Sequence, residues 1–153
     1  VTQFDDLYNF VRESNRIEGI VRVPHQQELD ATAAFVNLPA LRASHVAQLV
    51  SVYQPGAQLR LRPGLNVRVG SHYPPPGGPN VGIMLEDLLA RVTVGGPSPF
   101  EVHREYENLH PFTDGNGRSG RAIWLWQMLQ AGSRRLDLGF LHAWYYQSLS
   151  AGH

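Results

Sequence analysis

The sequence predicts a mainly α-helical chain folded as one compact domain, with a short β-hairpin set beside a polar loop. Apolar residues recur at helical spacing through most of its length, whereas one stretch around 65–69 alternates with a period of two. A chain of 153 residues can bury one sizeable core but not two independent ones. A composition 42% hydrophobic and 17% charged is that of an ordinary globular protein.

Phe4, Leu7, Tyr8 and Val11 share one helical face, Thr2 and Asp5 are spaced like a capping box, and Gly19 supplies a stop, so residues 3 to 17 are expected to be helical. Pro24 is suited to opening a second helix. Val46, Leu49, Val50 and Tyr53 give a third its apolar face before Pro55-Gly56. Then Leu65, Val67 and Val69 alternate with Asn66 and Arg68, and Gly70 turns the chain toward Tyr73, which predicts an exposed hairpin. The run 74–79 of Pro and Gly is a loop. Asn80 is placed to cap a helix with the stripe Val81, Met84, Leu85 and Leu88. Ser98, Pro99 and Glu101 read as N-cap, N1 and N3 of another, carrying Val102, Tyr106, Leu109 and His110 until Pro111. Ala122, Leu125, Trp126 and Leu129 mark a strongly apolar helix, and Leu141, Trp144, Tyr145 and Leu149 a last one.

With 13 basic and 13 acidic residues there is no global electrostatic footprint for nucleic acid or an anionic membrane. The absence of Cys excludes thiolate chemistry in this chain and fits a reducing, cytoplasmic setting. The amino end carries two Asp and no basic residue before its apolar positions, unlike a signal peptide, and no apolar run approaches the roughly 18 residues of a membrane span. A first residue of Val rather than Met predicts a processed or trimmed end.

The chemistry concentrates in HPFTDGNGRSGR, residues 110 to 121, between two apolar helices. Asp114-Gly115-Asn116-Gly117 followed by a helix offers closely spaced N–H groups and the positive end of a helix dipole, which favour an anion. Arg118 and Arg121, at i and i+3, can grip two phosphoryl groups of one ligand. Asp114 is a hard carboxylate of the kind that holds magnesium together with substrate phosphates. His110 is a candidate general base, since histidine titrates near neutrality. Together they describe phosphoryl or nucleotidyl transfer.

This segment resembles the signature of the Fic (filamentation induced by cAMP) family, His-Pro-Phe-x-Asp/Glu-Gly-Asn-Gly-Arg-x-x-Arg, at every fixed position. The resemblance extends to SNRIEG, to NVRVGSHYPPP and to the helical order between them. It implies a single Fic-type domain over 1–153, with an amino-terminal inhibitory helix at 1–19, a flap hairpin in the region 62–76, and a helix, catalytic loop and helix over 98–130. The implied activity is transfer of AMP from ATP to a Tyr, Ser or Thr hydroxyl of a target protein, with release of pyrophosphate. His110 would take the hydroxyl proton and Asp114 would hold Mg2+. Gly115, Asn116 and Gly117 would form the anion hole, and Arg118 and Arg121 would bind the outer phosphates. The target would dock along the flap at Val67, Arg68 and Val69, with the chain itself as one acceptor to test. Tyr73 and His72 are placed for the adenosine or target side.

Glu18 falls at the end of the first helix, where a negative charge opposes the dipole and calls for a cationic partner. Ser14-Asn15-Arg16-Ile17-Glu18-Gly19 resembles the family's inhibitory motif, in which the Glu pairs with the second Arg of the signature, here Arg121. The resemblance therefore implies autoinhibition in cis through Ser14, Glu18 and Gly19. Three functions stand at this stage. They are a regulated protein adenylyltransferase, a related chemistry such as removal of AMP or transfer of a phosphate or another nucleotide, and a catalytically silent nucleotide-binding module. His103, Glu107 and His110 share a helical face but lack a further ligand pair, so His103 is expected to support the loop rather than hold a transition metal. Trp124, Trp126, Trp144, Tyr145 and Tyr146 read as core, with room for a contact between two copies.

Overall fold

The computed structural model describes residues 3–132. The expected Thr2 cap, the last helix with Leu141, Trp144, Tyr145 and Leu149, and Tyr146 lie outside the described residues. Among the described residues six helices follow one another: α1 (Gln3–Ile17), α2 (Gln26–Val36), α3 (Ala43–Tyr53), α4 (Pro79–Thr93), α5 (Pro99–Leu109) and α6 (Asn116–Gln130). No helix among the described residues is long and apolar enough to cross a membrane.

Helix α6 is the axis of the fold, packing against α1, α2, α3 and α5, while α4 covers α3 and α5. Enclosure on so many sides buries α6 nearly all round, from Arg118 to Gln127, rather than along the single stripe that its apolar residues suggest. Phe10 of α1 stacks on Trp124, and the Trp126 indole donates to the carbonyl of Leu38 at 2.8 Å. On α1 the buried face runs through Phe10 and Val11 and continues into two polar residues, Ser14 and Asn15. The spacing that builds the core thus also delivers polar groups to the end of the helix.

The ends of the helices follow their sequences closely, with small shifts. At the start of α5, the Ser98 hydroxyl accepts from the Glu101 N–H at 3.2 Å and the Ser98 N–H donates to the Glu101 carboxylate at 3.3 Å. Helix α2 begins after His25 rather than at Pro24, because Glu28 reaches back to accept from the His25 N–H at 2.8 Å. Helix α4 takes Gly78 as its N-cap and Pro79 at its first turn, so Asn80 is inside the helix and not its cap. Met84 is 45% exposed, and Leu89 and Val92 complete the buried stripe instead.

The expected hairpin is corrected by the structure: there is no strand among the described residues, only isolated bridges. Val69 and His72 exchange two main-chain hydrogen bonds, 3.0 and 2.9 Å, around the turn at Gly70, and the pairing goes no further. The prolines from Pro74 onward lack the N–H groups a returning strand would need. Alternation survives as burial: Leu65, Val67 and Val69 are half-buried, while Asn66 and Arg68 face solvent. Among the described residues, no main-chain partner meets Val67 or Arg68. The base of this segment is held where Gly77 approaches so closely that a Cβ there would lie 2.5 Å from the carbonyl of Arg62. The second bridge joins Leu59 to Phe112, so the chain after α3 runs antiparallel to the loop before α6.

Candidate nucleotide and transfer site

The loop between α5 and α6 is fixed from three directions. The Thr113 N–H donates to the carbonyl of Gln58 at 2.8 Å and the Arg60 N–H to that of Pro111 at 2.9 Å. The Asn116 side chain accepts from the Phe112 N–H at 2.9 Å and donates to the Phe112 carbonyl at 2.8 Å. Phe112 itself is buried in the core. The Asn116 amide is therefore engaged in holding the loop, and only its main chain remains for an anion. Gly115, the N-cap of α6, has φ 78°, a left-handed conformation that glycine adopts without strain. The first N–H groups of α6 have no partner within the helix and form its positive end.

His110 is the C-cap of α5 and, among the described residues, the one residue other than glycine with positive φ, at 47°. Its carbonyl accepts from Arg60 Nε at 2.7 Å. His103 Nε2 lies 3.2 Å from the Glu107 carboxylate, and His110 leaves the helical face that the three were expected to share. Among the described residues no group of three His, Asp or Glu side chains is placed to hold a metal ion. Asp114 is exposed, and one of its oxygens accepts from the Gly115 N–H at 2.8 Å. A single protein carboxylate at an anion-favouring helix end suits a hard cation that arrives with phosphate oxygens and water as its other ligands, as magnesium does.

Arg118 and Arg121, on the first two turns of α6, are each only 4% exposed. Arg118 donates to Gln54 at 2.8 Å and to Asn15 at 3.4 Å, lies 3.8 Å from Glu28, and stacks over Tyr53. Burial lowers its proton affinity, and Glu18 and Glu28 act in the opposite sense. Burial raises the Tyr53 hydroxyl to a pKa of about 12, so it remains neutral beneath the guanidinium. Arg121 Nε donates to the Ser14 hydroxyl at 2.8 Å, and Nη2 donates to the Ser14 carbonyl at 3.0 Å and to Glu18 at 2.9 Å.

Glu18 is delivered by a helix stop. Gly19, at φ 77°, donates to the carbonyl of Arg16 at 2.9 Å, and Ile20 donates to that of Asn15 at 3.0 Å, the pair of bonds of a Schellman motif. Glu18 is thus the C-cap of α1 rather than part of its last turn. Its carboxylate covers Gly117 so closely that a Cβ at that position would collide with Oε1. A protein carboxylate therefore sits on the first turn of α6 and on Arg121, where an anion is favoured.

Glu18, Arg118, Arg121, Gly117, Asp114 and His110 line one cavity of about 1290 Å³, bordered also by Val69 and His72 of the 62–76 segment. The His72 ring lies 2.9 Å from the Asn108 carbonyl at the end of α5, and Arg68 stacks over Tyr73. Sequence reasoning missed Gln54, Glu28 and Arg60. Each stands among ordinary polar and apolar neighbours with no motif to mark it, and only the fold brings it to the site.

Compared with known families, residues 35–128 match the model of the Fic/DOC family. No curated protein matches the chain.

Proposed function

The chain belongs to the Fic/DOC family, and on that footing we propose that it is a protein adenylyltransferase held back by its own first helix. The observation that carries this reading is the Glu18 carboxylate on Arg121 and over Gly117, in the same cavity as His110. The site is built for an anion, and a side chain of the protein occupies part of it.

In the transfer, the oxygen of a target hydroxyl forms a bond to the α-phosphorus of ATP, the bond to pyrophosphate breaks, and the hydroxyl proton goes to His110. The main chain at Gly115–Gly117 and the forks of Arg118 and Arg121 orient and neutralise the phosphates, which is most of what phosphoryl-group chemistry requires. Magnesium, held by Asp114 and the phosphates themselves, would add charge neutralisation of the leaving group. The unpaired main chain at Val67 and Arg68 suits β-addition of an extended target segment, with Val69 at the cavity rim. Glu18 opposes the reaction by repelling the outer phosphates from Arg121, and Ser14 and Gly19 hold it in place.

The test compares the parent chain, Glu18→Gly and Glu18→Gly/His110→Ala for transfer of α-labelled ATP with magnesium, reading self-modification and intact mass. Label gained on Glu18→Gly and lost with His110→Ala is the expected result. Equal label on parent and Glu18→Gly would remove the inhibition. No label on any form, with ATP bound, would shift the reading to AMP removal, another donor or a silent module.

A further inference from the structure

Arg60 is a fully buried arginine for which the proposed transfer gives no role. A guanidinium out of water is strongly disfavoured unless its N–H groups are matched. Among the described residues no carboxylate pairs with it, and main-chain oxygens match it instead. Nε donates to the His110 carbonyl at 2.7 Å and Nη2 to that of Leu109 at 2.8 Å. Nη1 donates to the carbonyls of Leu65 and Pro75, at 3.1 and 2.8 Å. Burial lowers its proton affinity, yet arginine stays a cation in proteins.

The four oxygens fall into two groups. Those of Leu109 and His110 lie at the negative end of α5, where a cation compensates both the dipole and the carbonyls that a helix leaves unpaired. Those of Leu65 and Pro75 are the two ends of the segment that carries Val67, Arg68 and Val69. The main chain repeats the arrangement, since the Arg60 N–H donates to Pro111 and its carbonyl accepts from Gly78 at 3.0 Å. The bond to its carbonyl secures His110 in its left-handed conformation.

The geometry points to Arg60 as a positioning residue, one buried side chain that fixes the general-base histidine and both ends of the target-docking segment in a single frame. Its consequence for rate rests on the transferase reading, whereas the coupling of the two segments does not. Lysine, a point charge without the planar fork, cannot span both groups.

The experiment is nitrogen and proton NMR on the full chain and on Arg60→Lys, with label transfer measured in the Glu18→Gly background. In folded Arg60→Lys, amide signals of both 109–113 and 66–72 shift and broaden, while those around Ser14 and Arg121 stay in place. In the same background kcat falls at least tenfold, with KM for ATP within twofold. A folded variant in which neither segment shifts, or only one, overturns the coupling. If Arg60→Lys does not fold, hydrogen exchange on the unsubstituted protein decides. One common opening free energy, each rate being taken relative to that group's own intrinsic exchange rate, is expected for Arg60 Nε–H and the amides of Thr113 and Gly78, and independent values overturn the proposal. Loss of transfer in every form would count against the adenylyltransferase alone, because the NMR result stands without it.

Discussion

Glu18 Oε1 lies 2.9 Å from Nη2 of Arg121, a guanidinium 4% exposed paired with a carboxylate 40% exposed. The pair is uneven: Arg121 is committed to the interior and to Ser14, while Glu18 can swing out. Burial lowers the proton affinity of Arg121, and Glu18 partly restores it. An anion is therefore needed at this position, but not this particular one.

Gly117→Ala tests that unevenness without substituting either partner. A Cβ there meets Glu18 Oε1 and lies 3.1 Å from Arg121 Nη1, and Glu18, the flexible end, must give way. Alanine is favoured over glycine in a helix by up to about 1 kcal/mol, but removing the carboxylate leaves a buried guanidinium to Ser14 alone, which costs more than losing an exposed pair. The melting temperature should therefore fall as Glu18 leaves Arg121. A crystal structure of the variant with the pair intact would refute this.

Glu28 supports the same site from behind, and its effect should be visible as acid sensitivity. Burial alone would raise its pKa, but hydrogen bonds from Arg22, the His25 N–H and Asn15 bring it below the ordinary 4.5. With the folded value below the unfolded one, the stabilisation is complete above about pH 4.5 and is lost as pH falls through the lower folded value. Melting curves taken from neutrality down to about pH 3 should fall less steeply for Glu28→Gln than for the parent, although the variant starts lower. Parallel curves would mean that Glu28 does not carry this term.

How much of this was legible beforehand follows from the range of the interactions. The stop at Gly19, the Ser98 cap and the loop at 110–121 are set by neighbours in sequence, and their residue types announce them. The segment 62–76 misleads because alternation records which face is buried, not whether a partner strand exists, and the prolines after Tyr73 remove the donors that pairing requires. Arg60, Gln54 and Glu28 were invisible for a different reason. An arginine or glutamate outside any motif reads as surface, and only the antiparallel run of 58–60 beside 111–113, or the crossing of α1, α2 and α6, turns it inward. The match of the family to residues 35–128 is silent on α1, so the pairing of Glu18 with Arg121, expected from the resemblance of SNRIEG, rests on the geometry and not on that match.

Asn116 shows how a signature residue can serve the loop rather than the ligand. Its amide closes a two-bond ring with the main chain of Phe112, at 2.9 and 2.8 Å, in a buried setting. Asn116→Ala leaves a buried N–H and carbonyl unmatched, at a cost of about 1–3 kcal/mol. Asn116→Asp keeps the acceptor but turns the donor into a second oxygen facing the Phe112 carbonyl, so it too should fall below the parent in urea unfolding. Equal stability of all three would show that water or a rearranged loop takes over both bonds.

His110 carries the most direct conflict between stability and use. Its φ of 47° is a conformation in which a side chain costs about 1–2 kcal/mol relative to the right-handed helix, and glycine is free of that penalty. Glycine also loses more chain entropy on folding, which returns up to about 1 kcal/mol. His110→Gly should therefore be more stable than His110→Ala by about 1 kcal/mol in urea unfolding, and neither should transfer label in the Glu18→Gly background. The comparison with alanine removes the loss of the imidazole's own contacts from the difference. If glycine gives no gain, the left-handed turn is not strained. Arg60, by gripping the carbonyls of Leu109 and His110, would then have made that conformation the relaxed one.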